Sequence, residues 1–115
     1  MKDTQCKLEY TMFLRLKKDK NFFGPGPCIL LQYIKETKSI NKAAKRMNMT
    51  YTKAIKLIKL AEKELGYSLL EKQIGGVNGG GSVLTEEGEM FLNKYLEFRK
   101  EVTEAVDKIF DKHYN

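Results

Sequence analysis

Within the ten residues TYTKAIKLIK, Thr50, Tyr51, Thr52, Lys53, Lys56 and Lys59 supply a run of hydroxyl and ammonium donors. Steps of three and four residues bring such groups onto one side of an α-helix. A row of this kind contains no nucleophile with its base and no metal ligand; it can donate hydrogen bonds to a polyanion and neutralise its charge. Catalytic chemistry has little else to stand on. His113 is the only histidine, and neither Cys6 nor Cys28 falls at a metal-binding or nucleophilic spacing from histidine and carboxylates. The chain is therefore read as no enzyme, with no metal and no cofactor. Cys28, on an apolar helix face, reads as buried packing rather than a redox sensor.

The elements that must position the donor row lie in SINKAAKRMNMTYTKAIKLIKLAEKELG. Ser39 is a good N-cap for a short helix from Ile40 to about Met47, which buries Ile40, Ala43, Ala44 and Met47. Asn48 falls where the chain must turn sharply, and Asn tolerates the left-handed conformation. A second helix starts at Thr50 or Tyr51 and ends before Gly66, the expected C-terminal glycine. Its core stripe is Ala54, Leu57, Ile58, Ala61 and Leu65, and its other side shows Tyr51, Thr52, Lys53, Lys56, Lys59 and Lys63. Ala44 and Ala54 supply the small residues that two closely crossing helices need, which is the logic of a helix-turn-helix. On a lone helix the lysines would read as a solvated face. Behind a capped helix and a tight turn, they read as the side laid into the major groove of double-stranded DNA.

Five glycines crowd the seven positions Gly75 to Gly81 of KQIGGVNGGGSVLT. A flexible linker is one reading. A nucleotide-cradling loop is disfavoured, because the Gly-Lys-Ser/Thr ending and the G-x-G-x-x-G spacing are both missing. With YSLLEKQ before it and SVLT after it, the loop reads as the tip of a hairpin, a wing whose bare backbone can approach phosphates or a minor groove. The expected DNA-contacting set is Ser39, Thr50, Tyr51, Thr52, Lys53, Lys56, Lys59, Lys72, Gly76, Asn78 and Gly79.

Upstream, Leu8, Tyr10, Met12, Leu14 and Leu16 alternate with mostly polar residues, the period of a half-buried strand that Phe13 interrupts. KKDKNFFGPGP reads as a turn region, with a type II turn at Pro25-Gly26 and Pro27 opening a helix to about Thr37 through Ile29, Leu30, Tyr33 and Ile34. Downstream, Thr85 is a plausible N-cap for a long helix to about Lys112, with Glu86 and Glu87 in its first turn. Phe91, Tyr95, Phe98, Val102, Ala105 and Ile109 follow a heptad pattern, and Leu92, Leu96, Val106 and Phe110 form a second stripe beside it. One stripe can serve the chain's own core and the other a second copy. Phe91, Leu92, Tyr95, Phe98, Val102, Ala105 and Ile109 are the expected dimerisation residues. The organisation expected is a DNA-binding unit over 1–85 and a dimerisation helix over 86–115.

The 115 residues suit one compact domain plus an oligomerising element. Residues 1–73 hold 16 Lys and Arg against 7 Asp and Glu, or +9, whereas residues 74–115 hold 5 against 8, or −3. A basic front and an acidic tail suit a polyanion met by one end only. No apolar run reaches the length of a membrane span, and the start shows no signal-peptide stretch. The two cysteines form no disulfide framework, so the chain is expected in the reducing cytoplasm.

FGPGPCILLQYIKETKSINKAAKRMNMTYTKAIKLI, followed by GGVNGGGSVLTEEGEMFLNKY, resembles the N-terminal DNA-binding domain of ModE-type, molybdate-responsive transcriptional regulators, relatives of the LysR-type winged helix. The resemblance rests on the S-x-x-x-A-A helix, the M-T-Y-x-x-A turn and recognition helix, and the glycine-rich wing ending in L-T-x-x-G. It implies a mainly α fold with a small β component, a winged helix-turn-helix with a long C-terminal dimerisation helix, and a homodimer on a palindromic operator. Full-length members of the family continue into oxyanion-binding domains that these 115 residues do not include, so two readings stand, a stand-alone regulator or one that takes its signal from a separate effector-sensing protein. The leading expectation is a sequence-specific regulator. A chromatin-type coat of low sequence preference and a protein-docking winged-helix module are the alternatives.

Overall fold

The computed structural model describes residues 7–74 and 81–115. Its elements in chain order are β1 (Leu16–Lys17), β2 (Asn21–Phe23), α1 (Pro25–Thr37), α2 (Ile40–Arg46), α3 (Tyr51–Leu65), β3 (Leu70–Gln73), β4 (Gly81–Leu84) and α4 (Glu86–Tyr114). The fold is mainly helical, with two small antiparallel hairpins, β1–β2 and β3–β4.

The helix starts follow local chemistry. The hydroxyls of Ser39, Thr50 and Thr85 each accept the backbone N–H three residues on, capping α2, α3 and α4. Asn48 and Gly66 both have positive φ, 54° and 84°, where the chain leaves α2 and α3. Glu86, Glu87 and Glu89 occupy the first turn of α4, where the helix dipole favours negative charge.

α1, α2 and α3 pack around Cys28, Leu30, Leu31, Ile34, Ala43, Ala44, Ala54, Ile58 and Ala61. Ala43 and Ala44 from α2, with Ala54 and Ala61 from α3, keep the helices close because each adds only a methyl group. Leu69 and Leu84 bring the base of the β3–β4 hairpin into the same core, and Leu92 and Tyr95 bring the start of α4. Phe23 closes it, edge-on to Phe91 at 4.7 Å and to Tyr95 at 5.0 Å. The remainder of α4 projects outward. The radius of gyration, 17.7 Å, exceeds the about 13 Å of a compact chain of this length.

Three expectations need correcting. Residues 7–15 form no strand, although Tyr10, Met12, Leu14 and Leu16 alternate in burial with exposed Thr11, Phe13 and Arg15. The alternation comes from lying along α4, where Tyr10 donates to Asp107 and stacks near Phe110, rather than from strand pairing. α1 starts at Pro25, with Gly24 as its N-cap, so Pro25 and Gly26 are the first helical residues rather than a turn. Its buried face is Cys28, Leu30, Leu31 and Ile34, with Ile29 exposed and Tyr33 half-buried. The strand β2 lies inside what reads in the sequence as a turn region. Phe22 and Phe23 pull it inward, since both side chains are buried.

Candidate nucleic-acid interface

The exposed side of α3 is built by its buried side. With Ala54, Ile58 and Ala61 facing the core, the 3.6-residue repeat turns Thr52, Lys56, Lys59 and Lys63 outward. Tyr51 is 52% exposed, and Thr52, Lys53, Lys56, Lys59 and Lys63 are all exposed. None of these lysines is in an ion pair among the described residues, where the only two pairs are Lys35–Glu89 and Arg46–Glu36. The face therefore keeps its full positive charge.

Thr50 and Ser39 stand at helix N-termini. Both already use their oxygens as caps, at 3.0 Å from the N–H of Lys53 and Lys42 respectively. Each retains a hydroxyl proton to donate. Asn48 and Met49 make the tight connection between α2 and α3, with the Met49 N–H bonded to the Ala44 carbonyl at 3.0 Å.

The second hairpin is fastened to this unit at two places and closed across its own base at a third. The Glu62 carboxylate, on α3, accepts the N–H of Leu69 at 2.8 Å and of Leu70 at 3.4 Å. The Ser82 N–H reaches the Lys38 carbonyl, between α1 and α2, at 3.0 Å. Thr85 donates its hydroxyl to the Ser68 carbonyl at 2.7 Å while capping α4. The register pairs Leu70 with Leu84 and Gln73 with Gly81, and places exposed Lys72 opposite Ser82. Gly76, Asn78 and Gly79 lie outside the described residues. Glu62 was not among the expected site residues, because a carboxylate on a helix looks like any solvated charge until the chain it binds is in place.

Of the expected dimerisation residues, Leu92 and Tyr95 are closed inside the chain's own core, and Phe91 is half-buried against Phe23. Phe98 is 44% and Ile109 56% exposed, with Ala105 exposed and Val102 half-buried between them. At the start of α4 both stripes face the core, whereas further along the second stripe, with Leu96, Val106 and Phe110 half-buried, stays covered and the first is the more open. Burial raises the Cys28 thiol pKa, opposed by the nearby Arg99 guanidinium. Burial likewise raises that of Tyr95. Among the described residues no three His, Cys, Asp or Glu side chains are grouped to hold a metal, and no helix is long and apolar enough to cross a membrane.

A capped helix, a tight turn, an outward-facing second helix and a hairpin docked beside it define a winged helix-turn-helix domain. The family model described as bacterial regulatory helix-turn-helix protein, lysR family, matches residues 29–89. The chain belongs to that family. It is also 38% identical over 74 residues to the transcriptional regulator ModE of Haemophilus influenzae, covering 64% of this chain and 29% of that protein. Identity to the DNA-binding transcriptional dual regulator ModE of Escherichia coli is 32% over 87 residues, 76% of this chain and 33% of the other. The chain thus spans about a third of the length of these relatives. Among solved structures it shares its fold with the DNA-binding domain of CbnR in a complex with DNA, at a TM-score of 0.61 and 20% identity, over 76% of this chain and 95% of that one.

Proposed function

We propose that this protein is a transcriptional regulator that binds double-stranded DNA sequence-specifically as a homodimer, each copy laying α3 in the major groove of one half of a palindromic operator. The observation that carries the reading is the outward face of α3, where Tyr51, Thr52, Lys53, Lys56, Lys59 and Lys63 stand exposed and the lysines have no acidic partner among the described residues. Lysine ammonium groups supply the phosphate attraction, whereas Tyr51, Thr50 and Thr52 bring short donors and acceptors toward base edges. A solved domain of the same fold is in a complex with DNA, which supports DNA as the partner.

The exposed stripe of α4 supports the homodimer. Phe98, Val102, Ala105 and Ile109 are spaced 4, 3 and 4, a pattern that reads the same in reverse. Two such helices running antiparallel set Phe98 against Ile109 and Val102 against Ala105 of the second copy, twice over. Glu101 and Lys108, seven residues apart on one edge of the stripe, then approach Lys108 and Glu101 of the second copy within about 3 Å along the axis. Apolar contact and charge agree on the same register.

Selection of DNA by the protein from a random pool, at near-physiological salt, tests the reading. Recovery of an inverted repeat is expected, with half-sites about one helical turn apart or a multiple of it. Salt-sensitive binding without any recovered motif points instead to a coat of low sequence preference. Retention of no DNA leaves a protein-docking module.

A further inference from the structure

We infer that the β1–β2 hairpin is a second basic wing, which grips the DNA backbone on the side of α3 opposite the β3–β4 hairpin. The inference rests on the DNA-binding reading above and extends it to a segment that the helix-turn-helix does not include. The end of β1 and the turn after it hold Lys17, Lys18, Asp19 and Lys20, a net charge of +2. All four are exposed, and none of the three lysines is in an ion pair among the described residues.

Two contacts fix where this charge stands. Glu62 binds the start of β3, so its edge of α3 faces the β3–β4 hairpin. Lys53, Leu57 and Leu60 line a cavity of about 390 Å³ together with Asn21 and Phe22 of β2. Leu60 and Glu62 are two residues apart, and so about 160° apart around the helix axis. The two hairpins therefore flank α3 on opposite edges, and the lysine-bearing face lies between them.

The dimensions of DNA give that arrangement its meaning. A helix with side chains is about 10–12 Å across, and the major groove is about 12 Å wide. With α3 seated in the groove, whatever is packed along either edge of the helix stands over a phosphate-lined wall. On the β1–β2 side that edge carries Lys53, and the lysine turn ends one residue before Asn21, which lines the same cavity as Lys53.

The anchoring fits the same role. A hairpin with strands of two and three residues is not stable alone. Here Phe22 and Phe23 are both buried, and Phe23 packs edge-on to Phe91 and Tyr95, so the short turn is held on a rigid base. A flexible tail could neutralise phosphates, but a fixed turn also sets the register of the domain along the backbone.

The test is the salt dependence of binding to the selected DNA, for the full chain and for the triple variant K17Q/K18Q/K20Q, with K100Q on α4 as a single-charge control. Each lost phosphate contact lowers the slope of log K against log salt by about 0.9. The triple variant is expected to lose up to about 2.7 from that slope and at least tenfold in affinity, and K100Q to change neither. Lysine acetylation of the unmutated protein, read by mass spectrometry, gives a second measurement that does not depend on the variant folding; Lys17, Lys18 and Lys20 should be shielded by DNA. An unchanged slope, or equal acetylation with and without DNA, overturns the second wing while leaving α3 in place. Failure of the unmutated chain to bind DNA overturns both.

Discussion

The Tyr95 hydroxyl donates a 2.8 Å hydrogen bond to the carbonyl of Leu14, 81 residues earlier in the chain. The same ring packs against Phe23. One side chain of α4 thus secures both the extended N-terminal arm and the β1–β2 hairpin. Tyr95→Phe keeps the ring and removes the donor, leaving a part-buried carbonyl without this partner. Loss of about 1 kcal/mol is expected, with faster amide exchange over residues 8–14 and little change in α3. Unchanged exchange in the arm would mean that Tyr10 on Asp107 and Phe110 is enough to hold it.

Gly88 looks replaceable, because alanine in a helix interior gains about 1 kcal/mol over glycine. Its surroundings reverse the sign. A Cβ built there would stand 2.3 Å from the Leu69 carbonyl oxygen, which also accepts the Thr85 N–H. The obstacle is the Leu69 backbone, and forced overpacking costs about 1–3 kcal/mol. Gly88→Ala should therefore lower the melting temperature. A more stable variant would show that α4 can move off the base of the β3–β4 hairpin.

Cys28 is fully buried, and burial raises its pKa above the ordinary thiol value. The folded chain then retains a proton that the unfolded chain releases. Its contribution to stability is complete below the unfolded thiol pKa and is lost as pH rises through the folded one. Above about pH 8.5, the unmutated protein should lose stability more steeply than Cys28→Ala. Tyr95 and Cys6 are common to both chains, so parallel curves would remove Cys28 as the cause.

Much of this organisation is legible in the sequence because it is decided locally. Ser39, Thr50 and Thr85 cap helices through bonds three residues away, and Asn48 and Gly66 occupy conformations that few other residues adopt. Alternation in residues 8–16 gives the right half-buried side chains at Tyr10, Met12, Leu14 and Leu16, but Leu8 is exposed and residues 7–15 are no strand, since a period of two reports an extended chain and not what lies beside it. Phe91 and Tyr95 fit the heptad as well as Phe98 and Ile109 do. Only the packing of Phe23 against α4 decides which of them remain open. Glu62 and the lysine turn are the least legible, because their roles come from where the hairpins dock on α3.

Lys56 lies near the middle of the outward face of α3 and is exposed. Lys56→Ala removes charge without touching the core, and alanine favours the helix. Stability should change by less than about 0.5 kcal/mol, while the salt slope of DNA binding falls by about 0.9. An unaltered slope would take Lys56 out of the interface and shift the contact toward Lys53 and Lys59.

The antiparallel register proposed for α4 makes a prediction that an unspecific apolar association does not. Glu101→Lys sets like charges against Lys108 of the second copy, and Lys108→Glu sets like charges against Glu101, at two symmetry-related places in each case. Exposed ion pairs are worth about 0.2–1 kcal/mol, so each single variant should weaken the dimer by several-fold in sedimentation equilibrium. The double variant restores both attractions with their signs exchanged, and should recover most of the affinity. Additive weakening in the double variant would exclude this register, because the two residues would then act through different neighbours. Phe98→Ala separates that outcome from the absence of any dimer through α4: it removes one of the two largest apolar contacts of the stripe and should dissociate the pair whatever its register.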